Sequence, residues 1–274
     1  MYFPPDPRKW PGPVADLRRE IPRGIVLIGF CSDEGVRRNC GRVGAREGPA
    51  VFRQAFSKFP TSITDGGDII SGTDLEEAQQ ELSQFLTKLE LPLIIGGGHE
   101  LAWPQYLASP KESLGIINID AHFDLRSGPS SSGTSFLQMA KHQHLFHYAC
   151  LGIQSQSNSK ELFQTAESLN VHWITAEKLS KEGWKGQKAF LNAVDHLLLT
   201  LCLDVFAEAY APGVSAPQPF GLTPQTVLPL LRSLIASNKV RSFSIAELAP
   251  PLDPTGQTAR LAAHLVSTCF PSSR

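Results

Sequence analysis

The chain has 274 residues, 42% of them hydrophobic and 19% charged, with a formal net charge of −1. This composition excludes a disordered or fibrous chain, and the near-zero charge gives no electrostatic basis for binding nucleic acid or an anionic membrane, so a small molecule is the expected partner. The length fits one α/β domain over residues 1–274, and the start Met1 to Pro7 has no signal-peptide pattern and no run long enough to span a bilayer, which makes a cytoplasmic protein the expectation.

Residues 1 to 23 are rich in proline and charge and read as an extended arm. The first strand is expected over Ile25 to Phe30, followed by a polar loop from Asp33 to Pro49 with a helix starting near Pro49. Four arginines in this loop (Arg37, Arg38, Arg42 and Arg46) suit an active-site rim that meets a substrate carboxylate better than a plain connector. A helix over Asp74 to Leu89 and an apolar strand over Leu91 to Ile95 lead to Gly96-Gly97-Gly98-His99-Glu100. Three glycines let the backbone turn sharply and approach a ligand, delivering His99 at the carboxyl end of a strand. Their spacing matches neither nucleotide-binding glycine motif.

The next apolar run, Leu114 to Ile117, enters Asn118-Ile119-Asp120-Ala121-His122-Phe123-Asp124-Leu125-Arg126. If the strand continues, Asp120, His122 and Asp124 point to one side. Two carboxylates and an imidazole suit Mn, Fe or Zn better than Ca or Mg; turn-capping aspartates beside a solvent-facing histidine are the plain alternative. Ser127 to Thr134 reads as a flexible hydroxyl-rich segment, either a linker or a carboxylate-holding loop ahead of a helix opening at Ser135. A strand over His147 to Ile153 and a helix near Lys160 to Ala166 follow, while His142, His144 and His147 show no ligand spacing and read as surface or core.

Leu197 to Phe206 is expected as one buried strand with Cys202 and Asp204 on one side, where a buried aspartate is costly unless it meets a cation or donors. After the rigid loop Ala211 to Pro217 come a helix over Pro224 to Ala236, a strand over Val240 to Ala246 that delivers Glu247, and a closing helix. The β-then-α alternation predicts a mostly parallel sheet with helices on both faces. The cysteines Cys31, Cys40, Cys150, Cys202 and Cys269 are odd in number and have no paired spacing, so reduced and mostly buried thiols are expected.

From about residue 24 to 266 these blocks resemble the ureohydrolase (arginase and agmatinase) superfamily, through the G-G-x-H pattern ending at His99, the D-A-H-x-D pattern at Asp120 to Asp124, and the block at Cys202 and Asp204. Within it the chain is most similar to the formimidoylglutamase family, on Gly97-Gly98-His99-Glu100, Asp124-Leu125-Arg126, Ser131-Ser132-Gly133-Thr134, Ala211 to Pro217 and Gly256 to Ala263. The resemblance implies a three-layer arginase-like α/β fold and two divalent metal ions per chain, manganese by expectation, held by His99, Asp120, His122, Asp124, Cys202 and Asp204. It also implies hydrolysis of N-formimidoyl-L-glutamate to L-glutamate and formamide in histidine degradation, by a homo-trimer or hexamer. Glu247 would hold the amidine, Asp124 would relay a proton, and Arg126, Ser131, Ser132 and an arginine of the 37 to 46 loop would meet the substrate carboxylates. Two departures stand out: Cys202 occupies a position that is usually a bridging aspartate, and Ala207-Glu208 replaces the usual Asp-Pro. Cys202 is either a bridging thiolate, favouring Zn or Fe(II), or a small buried hydrophobe beside a weak second metal. The rival functions are cleavage of a guanidino compound such as agmatine or arginine, and a non-catalytic binding or regulatory role.

Overall fold

The computed structural model describes residues 23–271 except residue 144; the expected arm, apart from Arg23, and His144 lie outside the described residues. The elements run β1 (Ile25–Cys31), α1 (Glu34–Arg38), α2 (Gly48–Phe56), β2 (Thr64–Ile70), α3 (Leu75–Leu86), β3 (Leu91–Gly96), α4 (Ala102–Ala108), β4 (Leu114–Ile119) and α5 (Ser135–His142). They continue with β5 (His147–Ile153), α6 (Lys160–Ser168), β6 (His172–Thr175), α7 (Ala176–Glu182), α8 (Gln187–Asn192), β7 (His196–Cys202), α9 (Pro224–Ile235), β8 (Val240–Ala246) and α10 (Gln257–Cys269).

All eight strands pair in parallel in the order β2-β1-β3-β8-β7-β4-β5-β6. Parallel strands need crossovers, and these cover both faces with helices, so the strand sequences are nearly continuous apolar runs. Alternate side chains feed the two faces. Leu93, Ile95, Ile117, Ile119, Leu199 and Leu201 join one core with α2, α9 and α10. On the other face, Ile116, Tyr148 and Leu198 pack with α4 and α5, and Val26, Ile28 and Ile94 pack with α3. This three-layer α/β architecture is the one expected.

Several local expectations are corrected. The Asp33 to Pro49 segment contains a helix, α1, where a continuous loop was expected. Strands β2 and β6 were not anticipated: β2 (TDGGDII) is only partly apolar and β6 (HWIT) has four residues, so neither carries a strong pattern. Strand β4 stops at Ile119 and β7 at Cys202, so Asp120 to Asp124 and Asp204 stand on turns, and strand alternation is not what gathers them. The Ser127 to Thr134 segment is not a free flexible linker: Ser130, Ser131, Ser132 and Thr134 are buried and tied in by hydrogen bonds. All five cysteines are free, but only Cys150 and Cys202 are buried and Cys40 is exposed.

Candidate metal centre

Four adjacent strands, β3, β8, β7 and β4, occupy the middle of the sheet, and the chain direction on either side of them diverges. Ligands in open α/β sheets bind beyond the carboxyl ends at such a point. The turn after β3 carries His99, the end of β8 carries Glu247, the end of β7 carries Cys202 and Asp204, and the turn after β4 carries Asp120, His122 and Asp124. All of them except the fully buried Asp120 line a cleft of about 280 Å³.

The β3 turn is shaped by what its glycines touch. A Cβ on Gly97 would stand 1.9 Å from the Ser32 carbonyl oxygen, and one on Gly98 would stand 2.1 Å from Glu100 Oε2. Side chains there would push the turn off the β1 loop. Glu100, fully buried, accepts from the Ser32 hydroxyl at 2.8 Å and the Gly35 N–H at 3.1 Å, which fastens α1 to this turn; burial pushes its carboxyl up to about 7.

The β4 turn is closed by its own polar groups. Asp120 Oδ1 accepts the His122 N–H at 2.7 Å, and Asn118 Nδ2 donates to Asp120 Oδ2 at 3.1 Å and to the Tyr148 hydroxyl at 3.2 Å. Arg126 N–H donates to the Gly133 carbonyl at 2.9 Å, and the Ser135 hydroxyl donates to the His99 carbonyl at 3.1 Å. Asp124 sits at φ 49° and Glu247 at φ 67°, left-handed conformations that cost a non-glycine residue energy and that gather at functional sites.

His99 Nδ1 lies 2.9 Å from Asp120 Oδ2 and 3.0 Å from Asp124 Oδ2, yet makes no aligned hydrogen bond to either. His122 Nδ1 lies 3.1 Å from Asp204 Oδ2 and 3.5 Å from Asp120 Oδ1. His99, Asp120 and Cys202 converge with donor atoms within 4.8 Å of one another, and so do Asp120, His122 and Asp204. Asp120 is common to both sets. Buried donors held this close without hydrogen bonds between them fit cations: Asp204 Oδ1 and Glu247 Oε2 are also buried without a partner.

The charges tell the same story. Burial opposes charge on His99, but the Asp120 and Asp124 carboxylates override it and hold the ring pKa well above its ordinary value. Burial and the charge of Asp120 push Asp124 up to about 6, and burial and Asp120 also raise Asp204. Burial, then Asp120, Asp204 and Glu247, push the Cys202 thiol well above its usual range. Burial pushes Glu247 up to about 8. So many acids cannot all ionise in one dry space without positive charge, which protons or divalent cations can supply.

The structure brings together all six expected ligands and Glu247, with Asp120 buried behind the cleft wall, and Arg126 and Ser132 line the cleft. Ser131 does not line it, and its N–H donates to the Thr134 hydroxyl at 2.9 Å. Of the rim arginines, Arg37 and Arg38 pair with Glu34, and Arg38 also pairs with Glu76, whereas Arg42 lines the cleft and donates to the carbonyls of Val214 and Ser215. Asn39 and Ser215 line it too and were not singled out in the sequence. A lone asparagine or serine in a polar loop carries no spacing signal.

The family model of the arginase family matches residues 23–270. Formimidoylglutamase of Legionella pneumophila is 43% identical over 265 residues, covering 88% of this chain and 83% of that protein. Formimidoylglutamase of Geobacillus thermodenitrificans is 38% identical over 306 residues, covering 96% of this chain and 95% of that protein. Among solved structures, Trypanosoma cruzi formiminoglutamase with Mn2+2 superposes with a TM-score of 0.83 at 25% identity, covering 90% of this chain and 92% of the other. Convergence of the metal-ligand motifs on four central strand ends, and a match across nearly the whole described chain, lead to one conclusion: this chain belongs to the arginase family.

Proposed function

We propose that this chain is a metal-dependent hydrolase that converts N-formimidoyl-L-glutamate to L-glutamate and formamide, as a step of histidine degradation. The observation that carries the reading is the pair of donor sets sharing Asp120 beneath Glu247, in a chain whose relatives are named for this reaction. His99, Asp120, Asp124 and Cys202 would hold one cation, and Asp120, His122, Cys202 and Asp204 the other. Bound there, the two cations supply a water acidic enough to act as nucleophile near neutral pH, and positive charge to offset the charge that develops on the substrate. Manganese is the metal proposed, with zinc or ferrous iron favoured in proportion to how far the Cys202 thiolate takes part.

The remaining work falls to the protein. The planar N–C–N cation of the amidine matches the two oxygens of Glu247, of which Oε2 is free and Oε1 is fixed by the His99 N–H at 3.1 Å. Asp124, held with a raised pKa beside His99, takes a proton from the attacking water and passes it to the departing nitrogen. The Arg126 guanidinium forms no hydrogen bond or ion pair among the described residues, and with Arg42, Ser132 and Asn39 it borders the cleft; these groups meet the two substrate carboxylates. Ser131 acts through the loop that holds Ser132.

The domain is read as one unit over residues 1–274, assembled as a trimer or hexamer in the cytoplasm, where five free cysteines remain reduced. No helix among the described residues is long and apolar enough to cross a membrane. The test is product identity: proton NMR of the metal-loaded protein with N-formimidoyl-L-glutamate should show formamide and glutamate rising together. Ammonia with N-formyl-glutamate, or no product, would contradict the assignment.

A further inference from the structure

Behind His99, on the side away from the cleft, three buried polar contacts run in line. His99 Nε2 lies 2.9 Å from Thr200 Oγ1, Thr200 Oγ1 lies 2.8 Å from Ser244 Oγ, and Ser244 Oγ lies 2.7 Å from Gln105 Oε1. Thr200 and Ser244 are register partners on β7 and β8, and Gln105 reaches them from α4, which covers that face. None of the four residues is more than 1% exposed, so water cannot complete their hydrogen bonding.

The direction of every proton along this line is determined. The Gln105 amide Nε2 donates to the Leu199 carbonyl at 3.1 Å and to the Ser242 hydroxyl at 2.9 Å. Reversing the amide would set Oε1 against the carbonyl oxygen of Leu199, so Oε1 faces Ser244, where it can only accept. The contact between Ser244 and Gln105 therefore takes the single hydroxyl proton of Ser244. The contact between Thr200 and Ser244 must then take the hydroxyl proton of Thr200. Nothing remains for the third contact except an N–H on His99 Nε2. A lone pair on Nε2 would leave one of three short oxygen or nitrogen contacts without a proton, in a place that water does not reach.

We infer that Gln105, through Ser244 and Thr200, is a positioning residue that locks His99 with its proton on Nε2 and so makes Nδ1 the metal-binding atom. The contacts of Nδ1 agree: it stands 2.9 Å from Asp120 Oδ2 and 3.0 Å from Asp124 Oδ2, with no aligned hydrogen bond to either. This rests on the reading of His99 as a ligand and extends it to residues outside the cleft. A metal-binding imidazole needs its far nitrogen held, and loss of such a partner typically weakens metal binding about 10–100-fold. Here the holding group is not a carboxylate or a backbone carbonyl but a hydroxyl whose own polarity is imposed from α4. Thr200 alone is ambivalent; Gln105 decides.

The test is solid-state 15N spectroscopy of zinc-loaded protein with 15N-labelled histidine, His99 being assigned by difference from His99→Asn. The inference requires a zinc-dependent shift at Nδ1 and an N–H signal at Nε2. A zinc-dependent shift at Nε2 would overturn the inference and leave His99 a ligand, whereas no zinc-dependent shift at either nitrogen would overturn both. Zinc competition with a chelator tests the relay itself. Thr200→Val should weaken binding about 10–100-fold and Thr200→Ser should restore it. Ser244→Ala and Gln105→Leu, which touch neither metal ligand carboxylates nor the cleft, should weaken binding in the same direction and blur the Nε2 N–H signal. If both bind zinc like the parent chain with the parent His99 spectrum, the relay is overturned.

Discussion

The backbone N–H of His99 donates to Glu247 Oε1 at 3.1 Å, and the N–H of Glu247 donates to the Gly97 carbonyl at 2.9 Å. The turn after β3 and the end of β8 are thereby one unit, with the histidine proposed to bind metal and the carboxylate proposed to bind substrate fixed to each other. Glu247→Gln keeps an oxygen to accept from His99 but removes the charge that faces the amidine. It should therefore keep its metal content while kcat/KM falls by roughly 10²–10³-fold. Steady-state kinetics with elemental analysis of the same samples checks both halves.

Cys202 stands at the end of β7 within 4.8 Å of His99 and Asp120 donor atoms, buried among carboxylates that hold its thiol protonated unless a cation is present. A thiolate selects softer ions and a carboxylate harder ones. Cys202→Asp should shift the affinity ratio toward manganese over zinc by about tenfold, or 1.4 kcal/mol. Competition titrations with the two metals measure the ratio. An unchanged ratio would make Cys202 a packing residue.

Glu247 and Glu100 have carboxyls pushed up by burial to about 8 and about 7 from an ordinary 4.5, and His99 and His122 are also raised. A group whose folded pKa lies above its unfolded value contributes stability that is complete below the unfolded value and lost as pH rises through the folded one. Carboxyl and imidazole terms thus act in the same direction. Chelated protein should lose thermal stability between about pH 4.5 and 8. Cations would replace the protons of the proposed ligands and by their charge favour ionised Glu247, whereas Glu100 titrates in both samples, so metal-loaded protein should lose less Tm over this window and the gap between loaded and chelated samples should widen with pH. Thermal unfolding across that window, with and without chelator, checks the sign.

Arg126 and Arg42 border the cleft, while Arg37 is spent on a surface pair with Glu34. Removing a charged hydrogen-bond donor to a substrate carboxylate costs about 1.5–3 kcal/mol, so Arg126→Ala should raise KM roughly 10- to 100-fold with a smaller effect on kcat. Arg42→Ala should also raise KM and loosen the Val214 and Ser215 contacts it makes. Arg37→Ala should leave KM unchanged. Initial-rate kinetics on the three variants separates them.

Much of this site was legible in the sequence because the residues proposed to bind metal cluster in short blocks at the ends of apolar strands. His99, Asp120, His122, Asp124, Asp204 and Glu247 all fall where an apolar run stops. Strand alternation is not what gathers the D-A-H-x-D block: Asp120 to Asp124 lie beyond β4, on a turn in which Asp124 takes a left-handed φ. A turn of that kind has no periodicity to read. Strands β2 and β6 escaped because edge strands are short or half polar, with tertiary pairing supplying what the local pattern lacks. The line from Gln105 through Ser244 and Thr200 to His99 joins the turn and helix after β3 to two strands about a hundred residues or more further along the chain, and no local spacing announces it.

The most direct measurement is turnover of N-formimidoyl-L-glutamate by purified protein loaded in parallel with Mn, Fe(II) and Zn, with arginine and agmatine beside it and Asp120→Ala as control. Asp120 belongs to both donor sets, so its loss should remove bound metal and turnover together. The account predicts glutamate release from the formimidoyl substrate, no urea from the other two, and an inactive, metal-poor control. Urea from arginine or agmatine, silence on all three substrates with metal bound, or a fully active Asp120→Ala protein would contradict it.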